Sequence, residues 1–260
     1  MSPAARQIVH SPPLRFDDNA ALQRYYEEKY RHGGYAGGGV LQHGIDISAM
    51  YHERRQETAL RLLQPSAGQV VLDAGCGNGS LAARLAPLVH EAHAVDIAGN
   101  ALDPRFASIA NLRFQAMNVE AMSFPAARFD GIVCVETLEH MLHPIRALEE
   151  FHRVLKPGGC AVITYPTVNR TFVKRLGLGR RVSISEHLNE WSYAELRAVV
   201  RERGFTVEQV EGIAFDLGLL LLLKSVNSFF ARNVTRASLA VRAFPHNSMF
   251  VALRLRRKET

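Results

Sequence analysis

The sequence is poor in cysteine and in long apolar runs, and each shortage excludes a class of protein. Only three of its 260 residues are cysteine. These are too few for a disulfide framework or a cysteine-ligated zinc site, so a reducing compartment such as the cytoplasm is expected. The leucine-rich run at residues 217–223 is too short to span a bilayer. The N-terminus lacks the charged-then-apolar pattern of a secretory signal.

Acidic residues are scarce in the last third of the chain. Residues 1–169 carry 15 basic and 17 acidic side chains, whereas residues 170–260 carry 16 basic and 8 acidic ones. The formal net charge of +6 therefore originates in the second segment. Such an excess suits an anionic substrate, RNA or a membrane surface. It is equally typical of a solvated basic face.

The stretch at residues 70–81 organises the chain. Residues 70–72 are apolar, as in a buried parallel strand, and the helical spacing of apolar residues begins at Ser80. Between them Gly75, Gly77 and Gly79 allow a sharp turn and the close approach of a ligand. This strand, turn and helix predict a nucleotide-type site. Ser80 stands where the dinucleotide fingerprint has its third glycine.

Strands and helices alternate beyond this turn, which predicts a doubly wound α/β sheet in a chain long enough for one domain with added segments. Ligands bind such sheets beyond the carboxyl ends of the strands. We expect the polar side chains at those ends to line one crevice, with Tyr165 toward the substrate side. Strands are predicted near 70–73, 92–96, 112–116, 129–135, 159–165, 206–213 and 248–256, helices near 80–88, 142–155 and 192–203, and crevice residues at Asp73, Asp96, Asn118, Glu136 and Tyr165.

Four motifs in order resemble the class I S-adenosylmethionine-dependent methyltransferases. They are VLDAGCGNG at 71–79, Asp96, the run from NVEAM to TLEH at 118–140, and RVLKPGGCAVITYP at 153–166. The resemblance extends over about residues 50–212 and includes the ubiquinone-pathway O-methyltransferase type. It implies a Rossmann-like sheet of about seven strands, with the last strand, near 248–256, antiparallel and at the edge.

The resemblance also implies S-adenosylmethionine as the cofactor and a set of residues that hold it. Asp73 and the glycines would hold the methionine end, Asp96 the ribose, and Asn118 the adenine. Arg55 would reach the methionine carboxylate, although Arg54 and Arg61 are rivals for that role. The full set is Arg55, Asp73, Gly75, Gly77, Asp96, Ile97, Asn118, Val119, Val135 and Glu136.

Residues 1–49 are predicted to form a tail and a lid that precede the methyltransferase domain at 50–260. A helix is predicted over 20–31 with an aromatic face, and another over 47–63. In the family such segments often fold over the cofactor. The tyrosines of the first helix, Tyr25, Tyr26 and Tyr30, could equally pack on the core.

An acid and histidine cluster leaves the fourth strand of the predicted sheet. Glu136, Glu139 and His140 share a face if the chain turns helical there, and His187 follows later. The pattern resembles two metal-using branches of the family, the ubiquinone-pathway enzymes and the small-RNA 3′-terminal 2′-O-methyltransferases. A divalent cation such as Mg²⁺ is one hypothesis. The other is a pocket without metal, in which His140 or His187 acts as general base.

Two further segments bear on the substrate. A basic loop contains Lys174, Arg175, Arg180 and Arg181 and suits phosphate or carboxylate capture, or solvent alone. A helical insertion is predicted at about 215–244, before the last strand. Its apolar part followed by a basic amphipathic part is typical of peripheral membrane contact, or of a core helix with a basic outer face.

The leading functional hypothesis is O-methylation of a small, lipophilic hydroxylated molecule. RNA 2′-O-methylation is the second, and the absence of an evident RNA-binding module in the sequence counts against it. A cofactor-binding partner protein without catalysis is the third.

Overall fold

The computed structural model describes residues 14–33, 41–42, 45–167, 186–215 and 228–258. Its strands are β1 (Leu41–Gln42), β2 (Ile45–Asp46), β3 (Val70–Ala74), β4 (Glu91–Asp96), β5 (Leu112–Ala116), β6 (Phe129–Val135), β7 (Leu155–Pro166), β8 (Phe205–Phe215) and β9 (Ser248–Arg257). Its α-helices are α1 (Asn19–Arg31), α2 (Ile47–Leu63), α3 (Ser80–Leu85), α4 (Pro144–Val154), α5 (Tyr193–Glu202) and α6 (Ser228–Ala240).

Seven strands form one sheet in the order β5-β4-β3-β6-β7-β9-β8. Strands β3 to β7 pair in parallel, and β9 is antiparallel to both of its neighbours. The strand order reverses at the neighbouring pair β3 and β6. The connections that leave these two strands therefore run in opposite directions, which leaves a crevice at the carboxyl ends of the strands. The predicted doubly wound, Rossmann-like sheet with an antiparallel last strand is confirmed.

The expected edge position of the last strand is wrong. Strand β9 lies between β7 and β8, and the edges of the sheet are β5 and β8. The side chains of Val251, Leu253 and Leu255 are fully buried. An interior strand has both of its backbone edges paired and both faces covered, which explains why apolar residues fill the middle of β9.

Helices cover both faces of the sheet because each has an apolar stripe to bury. Helix α4 places Ala147, Leu148, Phe151 and Val154 on one side, the spacing of three and four residues that defines a helical face. These side chains pack with α5 in one core layer. Helix α2 packs Leu62 and its neighbours with α3 on the opposite face. A capping box, in which Ser192 and Glu195 exchange hydrogen bonds, begins α5, which matches the helix predicted near 192–203.

Replacing Phe151 by alanine should lower the free energy of unfolding by about 3–5 kcal/mol, since the ring is fully buried and leaves a cavity. Ile145→Ala on the same helix is the matched control, because Ile145 is 37% exposed. Urea denaturation measures both variants. Equal losses in the two variants would contradict the assigned inner face of α4.

Candidate active site

The glycine turn between β3 and α3 is tied to the end of β4. Gly75, Gly77 and Gly79 have φ angles of 75°, 54° and 81°, a region that strongly favours glycine. The amides of Gly75 and Cys76 both donate to the Val95 carbonyl, at 2.8 and 2.9 Å. The turn is therefore held in one conformation at the carboxyl edge of the sheet.

Asp96 joins the turn to the residues that follow β4. Its Oδ2 accepts the Gly77 amide at 2.9 Å, and its Oδ1 accepts the Ala98 amide at 3.0 Å. The side chain is almost fully buried, and burial raises its pKa. Each carboxylate oxygen has a second lone pair. This arrangement suits a carboxylate that accepts two ribose hydroxyls, the role implied for Asp96 by the resemblance.

Asp73 is 2% exposed at the end of β3. One of its carboxyl oxygens, Oδ2, lacks a hydrogen-bond partner within the described ranges. Burial raises the pKa of Asp73 to about 8, and the nearby Asp96 carboxylate acts in the same direction. A buried acceptor without a partner is costly. It fits a site whose ligand brings a cationic donor, such as the amino group of S-adenosylmethionine.

The loop after β5 contains Asn118 and Val119. The Asn118 Oδ1 accepts the Glu120 amide at 2.9 Å, and the Val119 side chain is buried. Glu120 in turn accepts from Asn19 at 2.9 Å and from the His143 amide at 2.7 Å. The loop is thus fixed between the start of α1 and the start of α4. Ile97 and Val135, at the ends of β4 and β6, are half-buried.

Helix α1 lies against the glycine turn and the end of β4. Leu22 and Tyr26 form an apolar cluster with Ala98 and Ala101. The Tyr30 hydroxyl is 3.1 Å from the position that a Cβ on Gly77 would occupy. The predicted helix over 20–31 is confirmed, and its tyrosines pack at the implied cofactor site. That it acts as a lid stays a prediction.

Arg55 faces the end of β6. Its Nη1 lies 3.3 Å from Glu136 Oε2, and its guanidinium stacks over the Phe250 ring at 4.5 Å. Glu136 Oε1 also accepts the Thr164 hydroxyl at 2.8 Å. The rivals for the cofactor carboxylate are paired elsewhere on the molecule, with Arg54 bound to Glu57 and Arg61 to Glu211.

Glu139, His140 and His187 converge at the carboxyl end of β6. One ligand atom from each lies within 4.8 Å of the others. Glu136 is outside this group because the helical turn spans only Leu138–His140, and Glu136 itself has a φ of 51°. The structure therefore unites three of the four proposed metal ligands and places the fourth against Arg55.

Glu139 is 1% exposed, and neither carboxyl oxygen has a hydrogen-bond partner in the part of the chain that the structure describes. Burial raises its pKa well above the usual range, and the charge of Glu136 adds to the effect. A carboxyl group buried in this way is stabilised by a neighbouring proton or cation. Its Oε1 lies 3.8 Å from His140 Nε2.

Both histidines of the cluster are held in the neutral form. His140 Nδ1 donates to the Glu186 carbonyl at 2.9 Å, which leaves the Nε2 lone pair available. The rings of His140 and His187 meet edge to face with centroids 5.1 Å apart. Burial lowers the pKa of His140, while burial and His140 together lower the pKa of His187 to about 4. Neutral imidazoles can accept a proton or bind a metal.

Tyr165 does not face a substrate as expected, because its hydroxyl bonds with protein backbone. It donates to the Asn189 carbonyl at 2.9 Å and accepts the Trp191 amide at 3.1 Å. The amides of Leu188 and Asn189 both donate to the Glu139 carbonyl. Tyr165 and Glu139 thus anchor the segment that contains His187. The sequence offers no periodic signal for this anchoring role.

Two segments for which the sequence predicts a role in substrate binding lie outside the described residues. The basic loop with Lys174, Arg175, Arg180 and Arg181 falls within 168–185, and the leucine run falls within 216–227. Helix α6 lies within the predicted insertion at about 215–244. Within the ranges that are described, no helix has the length and apolarity needed to cross a membrane.

A family model described as a methyltransferase domain matches residues 48–210. The match covers more than half of the sequence, and the chain belongs to this methyltransferase family. The prediction of an S-adenosylmethionine-dependent methyltransferase is thereby confirmed.

Curated relatives share the domain over part of their length. A ubiquinone biosynthesis O-methyltransferase of Albidiferax ferrireducens is 34% identical over 137 residues, covering 48% of this chain and 54% of that protein. The protein of the same name from Xanthomonas axonopodis pv. citri is 30% identical over 181 residues, covering 62% and 72%. The chain spans about half the length of several curated relatives that it matches.

A solved structure with the same fold is the 1,6-didemethyltoxoflavin-N1-methyltransferase of Burkholderia thailandensis with bound 1,6-didemethyltoxoflavin and S-adenosylhomocysteine. Its TM-score is 0.60 at 19% identity, covering 96% of this chain and 94% of that one. At this identity the likeness shows the fold.

The buried Asp73 carboxyl predicts a specific pH dependence of stability. Its folded pKa of about 8 lies above its unfolded value, so its contribution is complete at acid pH and is lost as pH rises through about 8. Between the unfolded pKa of 3.8 and the folded pKa of about 8, the wild type should lose about 1.4 kcal/mol of unfolding free energy per pH unit through this group. Asp73→Asn should gain stability relative to the wild type between about pH 4 and about pH 8, and the difference should stay constant above that range.

Denaturant unfolding at several pH values measures this difference between the two proteins. Asp103→Asn is the control, because the Asp103 carboxyl is paired with Arg105 at the surface. A stability difference between Asp73→Asn and the wild type that stays constant with pH would contradict the raised pKa.

Proposed function

We propose that the protein methylates a hydroxyl oxygen of a small, lipophilic molecule. The observation that carries this proposal is the cluster of Glu139, His140 and His187 beside the implied cofactor site. A neutral hydroxyl is a weak nucleophile, and O-methylation needs a group that takes up or displaces its proton. The names of the relatives, which place them in ubiquinone biosynthesis as O-methyltransferases, support the same reaction and a lipophilic acceptor.

S-adenosylmethionine, when bound, supplies an electrophilic methyl group on a sulfonium centre. The chain must bring an acceptor oxygen in line with that methyl group, since positioning contributes much of the rate. His140 Nε2 or His187 receives the hydroxyl proton, because both rings are neutral and have an available lone pair. In this proposal helix α1 and the anchored segment 186–191 would exclude water from the crevice.

As the alternative to general-base catalysis by these histidines, we propose that the cluster holds a divalent cation, which would then occupy their lone pairs. Two neutral imidazoles and a buried carboxyl group whose oxygens have no hydrogen-bond partner among the described residues fit this role. Mg²⁺ prefers an all-oxygen set, whereas two imidazoles with one carboxylate favour Mn²⁺, Fe²⁺ or Zn²⁺. Such a cation would lower the pKa of the acceptor hydroxyl. Glu136 would act through its contact with Arg55, near the cofactor carboxylate.

The cation hypothesis predicts a metal-dependent change in stability. Mn²⁺ or Zn²⁺ added to chelator-treated protein should raise the melting temperature, because a ligand that binds only the folded state stabilises it. At 100 times the dissociation constant the gain is about 2.7 kcal/mol. Glu139→Gln should abolish the gain, because the amide lacks the anionic oxygens.

Differential scanning fluorimetry with each metal measures the shift. Glu149→Gln on the outer face of α4 is the matched control and should respond like the wild type, because this side chain is 54% exposed. No shift in the wild type with any divalent cation would refute metal binding and leave the histidines as general bases.

The proposed reaction predicts the chemical class of the product. Protein incubated with methyl-labelled S-adenosylmethionine and a cell extract should transfer label to the organic-soluble fraction, with His187→Gln and His140→Gln reducing it about 100-fold or more. Alkaline-stable label that behaves as an aryl or alkyl methyl ether supports the proposal. Label in the RNA fraction, or cofactor binding without transfer to any fraction, would overturn it.

A further inference from the structure

Glu186 is bound by helix α1 through its side chain. Lys29 Nζ lies 2.5 Å from Glu186 Oε2, and the Tyr25 hydroxyl donates to Glu186 Oε1 at 2.9 Å. The Lys29 and Glu186 side chains are only 20% and 21% exposed, so water screens this pair less than a surface pair. A charge-assisted pair with a second donor is among the stronger hydrogen-bonded arrangements.

The backbone of the same residue holds His140. The Glu186 carbonyl accepts the proton on His140 Nδ1 at 2.9 Å. This hydrogen bond fixes the ring orientation and the tautomer, so that Nε2 carries the lone pair 3.8 Å from Glu139 Oε1. Without the carbonyl, the proton could occupy either nitrogen, and the ring could rotate.

Helix α1 links this residue to the implied cofactor site. On the same helix, Tyr30 approaches the glycine turn at Gly77, and Tyr26 packs on Ala98, just after the Asp96 carboxylate. One helix therefore contacts the residues implied to hold the adenosine portion and, through Glu186, the histidine proposed to serve the acceptor.

Leu188 also packs on the apolar cluster that α1 forms, but the rest of the segment has polar anchors outside α1. Downstream of His187, the amides of Leu188 and Asn189 share the Glu139 carbonyl, and Tyr165 bonds the backbone at Asn189 and Trp191. Among the described contacts, those of Glu186 are made to α1 and to His140. Displacement of α1 would therefore release the carbonyl at Glu186 while leaving residues 188–191 anchored.

We propose that Glu186 is a positioning residue: docking of α1 through Lys29 and Tyr25 fixes the Glu186 carbonyl, which holds His140 as the Nδ1–H tautomer. The Nε2 lone pair is then presented only when α1 covers the cofactor site. The inference extends the proposed function by coupling cofactor enclosure to the readiness of the acceptor site.

The direct test is the tautomer of His140, which needs no knowledge of the acceptor. Long-range ¹H–¹⁵N correlation spectra of protein with ¹⁵N-labelled histidine distinguish the two tautomers, and His140→Gln assigns the signals. The wild type should show Nδ1–H alone. Lys29→Met combined with Tyr25→Phe should show a mixture of tautomers or exchange broadening at His140.

The matched control is Arg31→Met, because Arg31 is also a cation near the end of α1 but pairs with Glu28 on the same helix. It should leave the His140 signals unchanged. The charge exchange Lys29→Glu with Glu186→Lys should restore the wild-type pattern that each single change disturbs. An unchanged tautomer in the double variant, or an equal change in Arg31→Met, would overturn the proposal.

Turnover then separates this inference from the proposed reaction. After an acceptor has been identified, the double variant Lys29→Met with Tyr25→Phe should lower kcat about 10-fold, as expected for loss of a group that orients a functional imidazole. The KM for S-adenosylmethionine should change by about 2-fold or less. If the protein proves not to methylate a hydroxyl, the tautomer measurement still tests the role of Glu186. A raised KM for S-adenosylmethionine with unchanged kcat would assign Glu186 to cofactor binding alone and contradict the coupling.

Discussion

The Val95 carbonyl, which accepts two consecutive amides from the glycine turn, is the constraint on which the site depends. It fixes the turn against the end of β4, and from this the position of Asp96 and of Gly77 follows. The same contact fixes the beginning of α3 relative to β3. The glycine turn therefore forms one wall of the crevice at the point where the strand order reverses. This backbone contact helps to bring side chains from distant positions in the sequence together at one place.

Buried acids are the second theme of the molecule. Asp73, Glu136 and Glu139 all lie at the carboxyl ends of β3 and β6, and burial raises the pKa of each one. Such groups reduce the stability of the ligand-free protein, and natural proteins retain them where function requires them. Sulfonium, ammonium and divalent cations are all positive ligands. The buried acids therefore match the chemistry that the family membership and the proposed reaction demand.

Local patterns in the sequence were sufficient for most of the fold. The helices predicted over 47–63 and 192–203 are found as α2 and α5, because both depend on residues close together in the chain. The interior position of β9 depends on pairing with two strands far away in sequence, which a weakly alternating pattern does not encode. Similarly, the separation of Glu136 from Glu139 results from a left-handed backbone conformation at a residue other than glycine. The roles of Tyr165 and Glu186 arise from contacts with backbone atoms of remote segments, and no side-chain pattern reports these.

The interior position of β9 has a consequence for the order of events during synthesis. Strand β8 reaches the sheet only through β9, and no direct pairing joins it to β7. While the ribosome is still adding residues 248–257, β7 has an exposed edge and β8 has no place to dock. The nascent chain must therefore keep two unpaired strand edges apart from other proteins until translation has passed this point, which makes chaperone binding most valuable in that interval.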